Sequence, residues 1–189
     1  AREIGFPVII KARNPVVRDQ GVPGVAGDLQ SEEAVRLAFR SLSTRLGPLA
    51  TDGFAVQHMA NPGVFCVLTA LEDPLFGPVV SFSVAGPTTE MLRDISYRIP
   101  PLRDVDVADL IDSLESAPLL GGYRGREPVD RGALEDLIAR VGALSDDLPE
   151  VSVVRLLPVN AWAGGVDVLG AEVVVSPTQL RLEVERRTI

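Results

Sequence analysis

Residues 6–12 read Phe6-Pro7-Val8-Ile9-Ile10-Lys11-Ala12, an apolar run that ends next to a lysine. The run is short, continuous and rich in β-branched residues, which predicts a buried strand. Lys11 is the only lysine among the 18 Lys and Arg residues of the chain. A lysine ammonium is a compact charge that reaches a phosphate, whereas arginine presents a wide planar fork. Lys11 is therefore a candidate phosphate ligand; the alternative is a strand-end lysine that extends its ammonium to water.

The composition is that of an acidic globular chain. Of its 189 residues, 46% are hydrophobic and 23% are charged, and the net charge is −8. This charge disfavours nucleic acid and anionic membranes as partners, and no apolar run approaches the roughly 20 residues of a membrane span. The single cysteine, Cys66, excludes an internal disulfide and favours a cytoplasmic location. With one histidine in addition, the chain lacks the residues for an ordinary zinc site.

Hydrophobic periodicity outward from the first strand predicts an α+β fold with a largely antiparallel sheet. Three helices are expected, one capped by Ser31 and running to about Leu46, one over residues 104–116, and one capped by Asp130 and running to about Ser145. Further strands are expected over residues 54–59, 64–71, 79–84, 151–157 and 166–175. Residues 14–28 contain several Gly and Pro residues and are expected to form a loop.

Both ends of the chain carry signals of domain organisation. Residues 1–5 have the pattern of a last helical turn that ends on a glycine, which suggests a piece of a longer polypeptide. Residues 178–189 carry mixed charges and are expected to form a C-terminal tail. We therefore expect one domain over residues 1–177.

Several motifs resemble those of one family. The chain is similar to the ATP-grasp domain of NDP-forming acyl-CoA synthetases, of the ADP-forming acetate–CoA ligase type, which also occurs fused to GNAT-type protein lysine acetyltransferases. The resemblance covers residues 1–175 in order and at nearly constant spacing. The segments that carry it are Ile4–Lys11, Val56–Met59, Asp73–Val79, Glu90–Asp94 and Leu119–Asp130.

The resemblance implies an ATP-grasp-like fold that lacks the first strands of the family, with ATP and Mg²⁺ as the family's cofactors. It places Lys11 on nucleotide phosphate and Glu90 near the region of phosphate transfer, where the alternative is a solvated carboxylate. It also implies that the adenine contacts the segment Val56, Gln57, His58 and Met59. The implied partners are CoA-binding and GNAT domains of the same polypeptide, together with a nucleotide or acyl-CoA.

The chain departs from the family pattern where phosphate is carried. The family has a phosphoryl-carrying histidine in the loop after the first strand, and that position falls here on Arg18 or Asp19. His58, the only histidine, lies on the predicted adenine segment instead. The glycine-rich strand of the family is replaced by Ser83-Val84-Ala85-Gly86, and a family glutamate is replaced by Phe65.

The departure is larger at the metal positions that the resemblance implies. The family pattern Glu-Leu-Asp-x-Asn-Pro falls on residues 153–158, so that Arg155 replaces the aspartate and Leu157 the asparagine. A later Asp-Ala-Arg falls on residues 170–172, so that Gly170 replaces the aspartate. Magnesium requires hard oxygen ligands, and a cation ~4 Å from the metal would be repelled by several kcal/mol at an effective dielectric near 20. No metal site is expected here.

Two explanations follow for these losses. Arg155 could bind phosphate in place of the metal, or the nucleotide-dependent chemistry has been abandoned, which Leu157 and Gly170 favour. The resulting hypothesis is a degenerate, regulatory or scaffolding ATP-grasp domain with weak or no Mg-ATP chemistry. The alternatives are a working ADP-forming acyl-CoA ligase domain, in which Lys11 and Glu90 carry the remaining chemistry, and a protein-interaction module.

Overall fold

The computed structural model describes residues 1–19 and 22–177. They form two compact units, one over Ala1–Ala60 and one that begins at Asn61. Every strand pairing in both units is antiparallel, as the sequence predicts for an α+β fold. Within the described residues, no helix is both long and apolar enough to cross a membrane.

The first unit is a three-stranded sheet with one long helix against it. Strand β1 (Val8–Ala12) lies between β2 (Val25–Leu29) and β3 (Phe54–His58), and the helices are α1 (Pro15–Asp19) and α2 (Glu32–Leu46). The Ser31 side chain accepts a hydrogen bond from the Ala34 amide and so caps α2 as predicted. Val8, Ile10 and Leu42 are buried together in its core.

The second unit is a six-stranded sheet, and two of its helices pack on one face of it. The elements are β4 (Val64–Asp73), β5 (Gly77–Val84), α3 (Pro87–Leu92), β6 (Ser96–Arg98), α4 (Asp104–Asp112), α5 (Arg131–Asp147), β7 (Val151–Trp162), β8 (Gly165–Val168) and β9 (Ala171–Val175). The strand order is β6-β5-β4-β7-β8, and β9 pairs with the first half of β7.

Strict alternation along the strands separates the two faces of this sheet. Leu68 and Phe82 are fully buried and belong to one cluster with Leu110 of α4 and Leu134 of α5. The residues between them in β4 and β5 lie on the opposite face, which these helices leave uncovered. The helix-free face is therefore where this unit can present polar side chains.

The structure corrects several expected boundaries. The predicted loop over residues 14–28 contains α1 and most of β2, which the sequence hides because Gly27 and Asp28 interrupt a short and largely exposed strand. The predicted strand over residues 166–175 is two strands, β8 and β9, and α4 ends at Asp112 rather than at residue 116. Helix α3 and strand β6 were not predicted. The expected tail, residues 178–189, lies outside the described residues.

Candidate functional site

Lys11 lies on the face of the first sheet that points away from α2. It pairs with Val25 of β2 and with Ala55 of β3, while its neighbour Ile10 is buried on the α2 face. Because successive strand residues point to opposite faces, Lys11 shares its face with Ile9. Its side chain is half-buried. The rigid central strand of the sheet therefore fixes the position of this ammonium.

The predicted adenine segment is divided between the two faces. Gln57 pairs with Ile9 and so shares the face of Lys11, whereas Val56 pairs with Ile10 and packs toward α2. His58 lies opposite Val8, is exposed, and has Nδ1 2.8 Å from the carbonyl oxygen of Met59. The structure thus brings Lys11 and Gln57 to one face and leaves the side chains of Val56 and His58 off it.

Met59 has a local structural role at the end of β3. Its amide donates to the carbonyl oxygen of Pro7, and its sulfur accepts the amide of Asp28 at 3.2 Å. Asp28 has φ +54°, a left-handed conformation that this contact helps to hold. The carrier position at Arg18 or Asp19 falls at the end of α1, where only the backbone is described.

The Glu90–Asp94 motif has a structural function at Asp94. Its carboxylate accepts the amides of Glu115 and Ser116, each at 2.9 Å, and so fastens the segment after α3 to the turn after α4. Glu90 is exposed within the short helix α3. Burial alone would raise the pKa of the Asp94 carboxyl, but the hydrogen bonds from Ser116 and Glu115 outweigh it and hold that pKa below its usual value.

Replacing Asp94 with Ala should destabilise the second unit by about 1 kcal/mol at neutral pH, because two charge-assisted hydrogen bonds are lost from a partly exposed site. The folded-state pKa is lowered, so this stabilisation is full above the unfolded pKa of about 4 and is lost as the pH falls through the folded value. Urea unfolding of wild type and of Asp94→Ala at pH 7 and pH 3 measures this contribution to stability. The control is Asp109→Ala on α4; an equal difference between Asp94→Ala and wild type at both pH values would contradict the assignment.

Arg155 is paired rather than free to face a metal ion. It lies on β7 directly opposite Glu172 of β9, and its Nη1 donates to Oε2 of Glu172 at 2.5 Å. Both side chains are about half exposed. The pairing of β7 with β9 therefore gives Arg155 a carboxylate partner within the chain, Glu172. Arg155 itself stands at the position where the family pattern has an aspartate.

Of the other two family ligand positions, the backbone closes position 170, and position 157 carries an apolar side chain. The Leu157 amide donates to the carbonyl oxygen of Gly170 at 2.9 Å, where β7 and β9 meet. A Cβ atom built on Gly170 would lie 2.3 Å from the carbonyl oxygen of Leu157, so no side chain fits there without a backbone shift. Among residues 1–19 and 22–177, no group of three or more His, Cys, Asp or Glu side chains could hold a metal ion. These residues do not fit Mg²⁺.

The replaced glycine-rich strand belongs to the same sheet. Ser83 of β5 pairs with Val67 of β4, and Ala85 donates its amide to the carbonyl oxygen of Phe65 at 2.7 Å. The Phe65 side chain, at the position of a family glutamate, is about half exposed on the helix-free face. An apolar ring therefore stands where the family has a carboxylate.

Residues 1–175, nearly the whole chain, match the family model described as an ATP-grasp domain. Over 178 residues the chain is 30% identical to the β subunit of acetate–CoA ligase (ADP-forming) I of Pyrococcus furiosus, with 92% of this chain and 77% of that subunit covered. This chain is an ATP-grasp domain of the ADP-forming acyl-CoA ligase family. The family to which the sequence is similar is thereby confirmed.

Some relatives carry the matching region within longer chains. The chain is 32% identical over 179 residues to acetate–CoA ligase (ADP-forming) I of Archaeoglobus fulgidus, of which it spans only 26%. A solved structure of the dinucleotide-forming acetyl-coenzyme A synthetase 1 of Ca. Korarchaeum cryptofilum, in complex with coenzyme A, Ca-AMPCP and HgCl⁺, superposes with a TM-score of 0.78. It is 37% identical, and the match covers 93% of this chain and 79% of that one. The ATP-grasp fold is confirmed.

The sequence did not reveal the Arg155–Glu172 pair, although it held a signal for it. The family pattern has an acid at the first of these positions and a base at the second, and this chain has the reverse. An exchange of charge between two positions indicates that they are neighbours. The strand register of β7 and β9 shows that they are.

Proposed function

We propose that this chain is a degenerate ATP-grasp domain that senses ligands or serves as a scaffold in a longer acyl-CoA synthetase-like protein, with weak or no Mg-ATP chemistry. The observation that carries the proposal is the closed contact between Leu157 and Gly170 beside the Arg155–Glu172 pair. Magnesium needs carboxylate or carbonyl oxygens with room around them. Arg155 is a cation that is paired with Glu172, and Gly170 is crowded by the backbone, so these positions supply neither the oxygen ligands nor the room.

The retained framework supports a role that depends on the fold rather than on phosphoryl transfer. Asp94 fastens two segments, and Gly122, with φ +90°, approaches the carbonyl oxygen of Arg126 so closely that a Cβ there would lie at 2.6 Å. Backbone geometry thus accounts for Gly122 within the Leu119–Asp130 motif. Its covalent partners would be a CoA-binding domain and, in an acetyltransferase-fused protein, a GNAT domain.

A working ligase domain is the second candidate, because one face of the first sheet keeps Lys11 beside Gln57. In that case Lys11 would contact phosphate and Glu90 would act near the transfer region. A protein-interaction module is a third candidate and would need neither residue.

Isothermal titration of the chain with Mg-ATP, repeated with Lys11→Ala, tests the proposal. We expect no heat that depends on magnesium and no difference between the two proteins in magnesium buffer. Micromolar affinity that requires magnesium and falls about tenfold in Lys11→Ala would contradict the proposal and favour the ligase. Release of ADP by the full-length protein, dependent on an acid and CoA, would also contradict the proposal and favour the ligase.

A further inference from the structure

The outer edge of strand β9 is exposed along its whole length. β9 pairs with β7 on one side, and within residues 1–19 and 22–177 no strand pairs with its other side. All of its residues are exposed, and the exposed fractions of Val173 and Val175 are 57% and 67%. A strand edge in this state presents unpaired backbone donors and acceptors to another chain.

The backbone groups on this edge can be assigned residue by residue. Toward β7, the carbonyl oxygen of Gly170 accepts the Leu157 amide. Beyond the other end of β9, the Ser176 amide donates to the carbonyl oxygen of Glu150. Because successive residues of a strand point their N–H and C=O groups to opposite sides, the even-numbered residues of β9 face β7. The groups that point outward therefore belong to the odd-numbered residues, Ala171, Val173 and Val175.

Strand β9 lacks the features by which exposed strand edges avoid pairing with other chains. Proline, unpaired charges, bulges or a very short strand usually protect such an edge. The other two edge strands of this sheet have such features, since β6 is only three residues long and β8 carries Asp167. In β9 the single charged residue, Glu172, is paired with Arg155. The extra residue in the β7–β9 ladder lies in β7, so β9 itself is regular.

We propose that this edge is a dimerisation site, at which a second copy of the chain adds its own β9 in antiparallel orientation. Two copies related by a two-fold axis present the same strand to each other. With Val173 on the axis, Ala171 lies opposite the partner's Val175, and every outward N–H and C=O group of β9 meets a partner. The two sheets then become one continuous sheet. This inference goes beyond the proposed function and does not depend on it, because no ligand takes part.

Glu172 restricts the register of the pairing. If Glu172 lay on the axis, two carboxylates would stand directly opposite each other, which is unfavourable. With Val173 on the axis, each Glu172 lies opposite the partner's Val174 and keeps Arg155 of its own chain as its ion-pair partner. This register also pairs the whole length of β9, so we expect it to be the one that forms.

Area and net charge limit the strength of the dimer. A strand of five residues buries much less than the roughly 1,600 Å² of a standard stable interface, so we expect a Kd on the order of 100 µM. Each copy carries a net charge of −8, and the two copies therefore repel each other. Because salt screens this repulsion, we expect salt to strengthen the dimer, whereas an interface built on ion pairs would weaken.

Sedimentation equilibrium of the chain from micromolar to millimolar concentration, in low and in high salt, tests the inference. We expect a monomer–dimer equilibrium that goes no further, because pairing uses the β9 edge of both copies. Val173→Lys should weaken the dimer about tenfold or more, since it places two like charges on the axis. Val173→Pro should weaken it as much, because proline removes the outward N–H and leaves the hydrogen bonds to β7 in place.

Val168→Lys is the matched control, because it makes the same change at an exposed valine of the edge strand β8. It should leave the dimer unchanged, and urea unfolding of all variants checks that each is folded. A chain that stays monomeric at millimolar concentration in high salt would overturn the inference, as would association beyond a dimer. A dimer that forms only after removal of residues 178–189 would assign the edge to that segment. Equal affinity of wild type, Val173→Lys and Val173→Pro would show that β9 is not the interface.

Discussion

Restoring the family's ligands by the triple substitution Arg155→Asp, Leu157→Asn and Gly170→Asp should lower the free energy of unfolding by about 2–3 kcal/mol without creating a magnesium site. The Cβ atom at position 170 would lie 2.3 Å from the carbonyl oxygen of Leu157, closer than any ordinary contact. Overpacking of this kind costs about 1–3 kcal/mol. The aspartate at position 155 would add to this by facing Glu172 across the strand pair.

The double variant Arg155→Asp, Leu157→Asn separates these causes, because it leaves Gly170 unchanged. We expect its loss of stability in urea unfolding to be less than half that of the triple variant. Gly132→Ala is the matched glycine control, since a Cβ there meets nothing nearer than 3.6 Å, and it should be tolerated. Magnesium binding by the triple variant at wild-type stability would show that the site was lost by substitution alone and that the backbone does not exclude it.

The long elements of the fold could be predicted from the sequence because their signals are local. Ser31 and Asp130 cap α2 and α5 by accepting hydrogen bonds from the amides of Ala34 and Ala133, and this pattern is visible in the sequence. The strand-like runs over residues 64–71 and 79–84 were equally visible. By contrast, β2 and β6 are short strands held by their partners, and neither contains a continuous apolar run.

The candidate site was only partly predictable, because it depends on register. The sequence identified Lys11 and Arg155 as separate candidates for phosphate contacts. It did not show that Gln57 shares a face with Lys11, nor that Thr69 and Glu172 flank Arg155. A shift of one residue in any strand would turn these side chains to the opposite face. The pairings come from tertiary structure and have no local sequence signal.

Gly170 shows why a lost ligand need not be recoverable. In the sequence it is one glycine that replaces one aspartate, which suggests a single reversible step. In the structure, Gly170 continues the hydrogen-bonded ladder between β7 and β9, because its carbonyl oxygen accepts a hydrogen bond from the Leu157 amide. The backbone at Leu157 lies so close to Gly170 that it occupies the space of a side chain at position 170. We infer that the contact between these strands would have to open before any carboxylate could return.

A second close approach leads to the other large expected effect, in the turn before β4. Gly63→Ala should destabilise the protein by about 2–3 kcal/mol. A Cβ at this position would lie 2.4 Å from the carbonyl oxygen of Ala161 and 2.5 Å from Oδ1 of Asn160. Asn160 is fully buried, and its Nδ2 donates to the carbonyl oxygen of Asn61 at 2.9 Å, so it cannot move aside without breaking that bond.

Urea unfolding of Gly63→Ala, of Asn160→Ala and of the double variant measures which neighbour resists the added methyl group. Because the nearer clash is with the backbone of Ala161, Asn160→Ala should not rescue Gly63→Ala, and the double variant should be the least stable of the three. Gly121→Ala is the control, since its Cβ would meet only the carbonyl oxygen of Pro118 at 3.6 Å. Wild-type stability of Gly63→Ala would show that the turn relaxes freely, and recovery in the double variant would place the restraint on the Asn160 side chain.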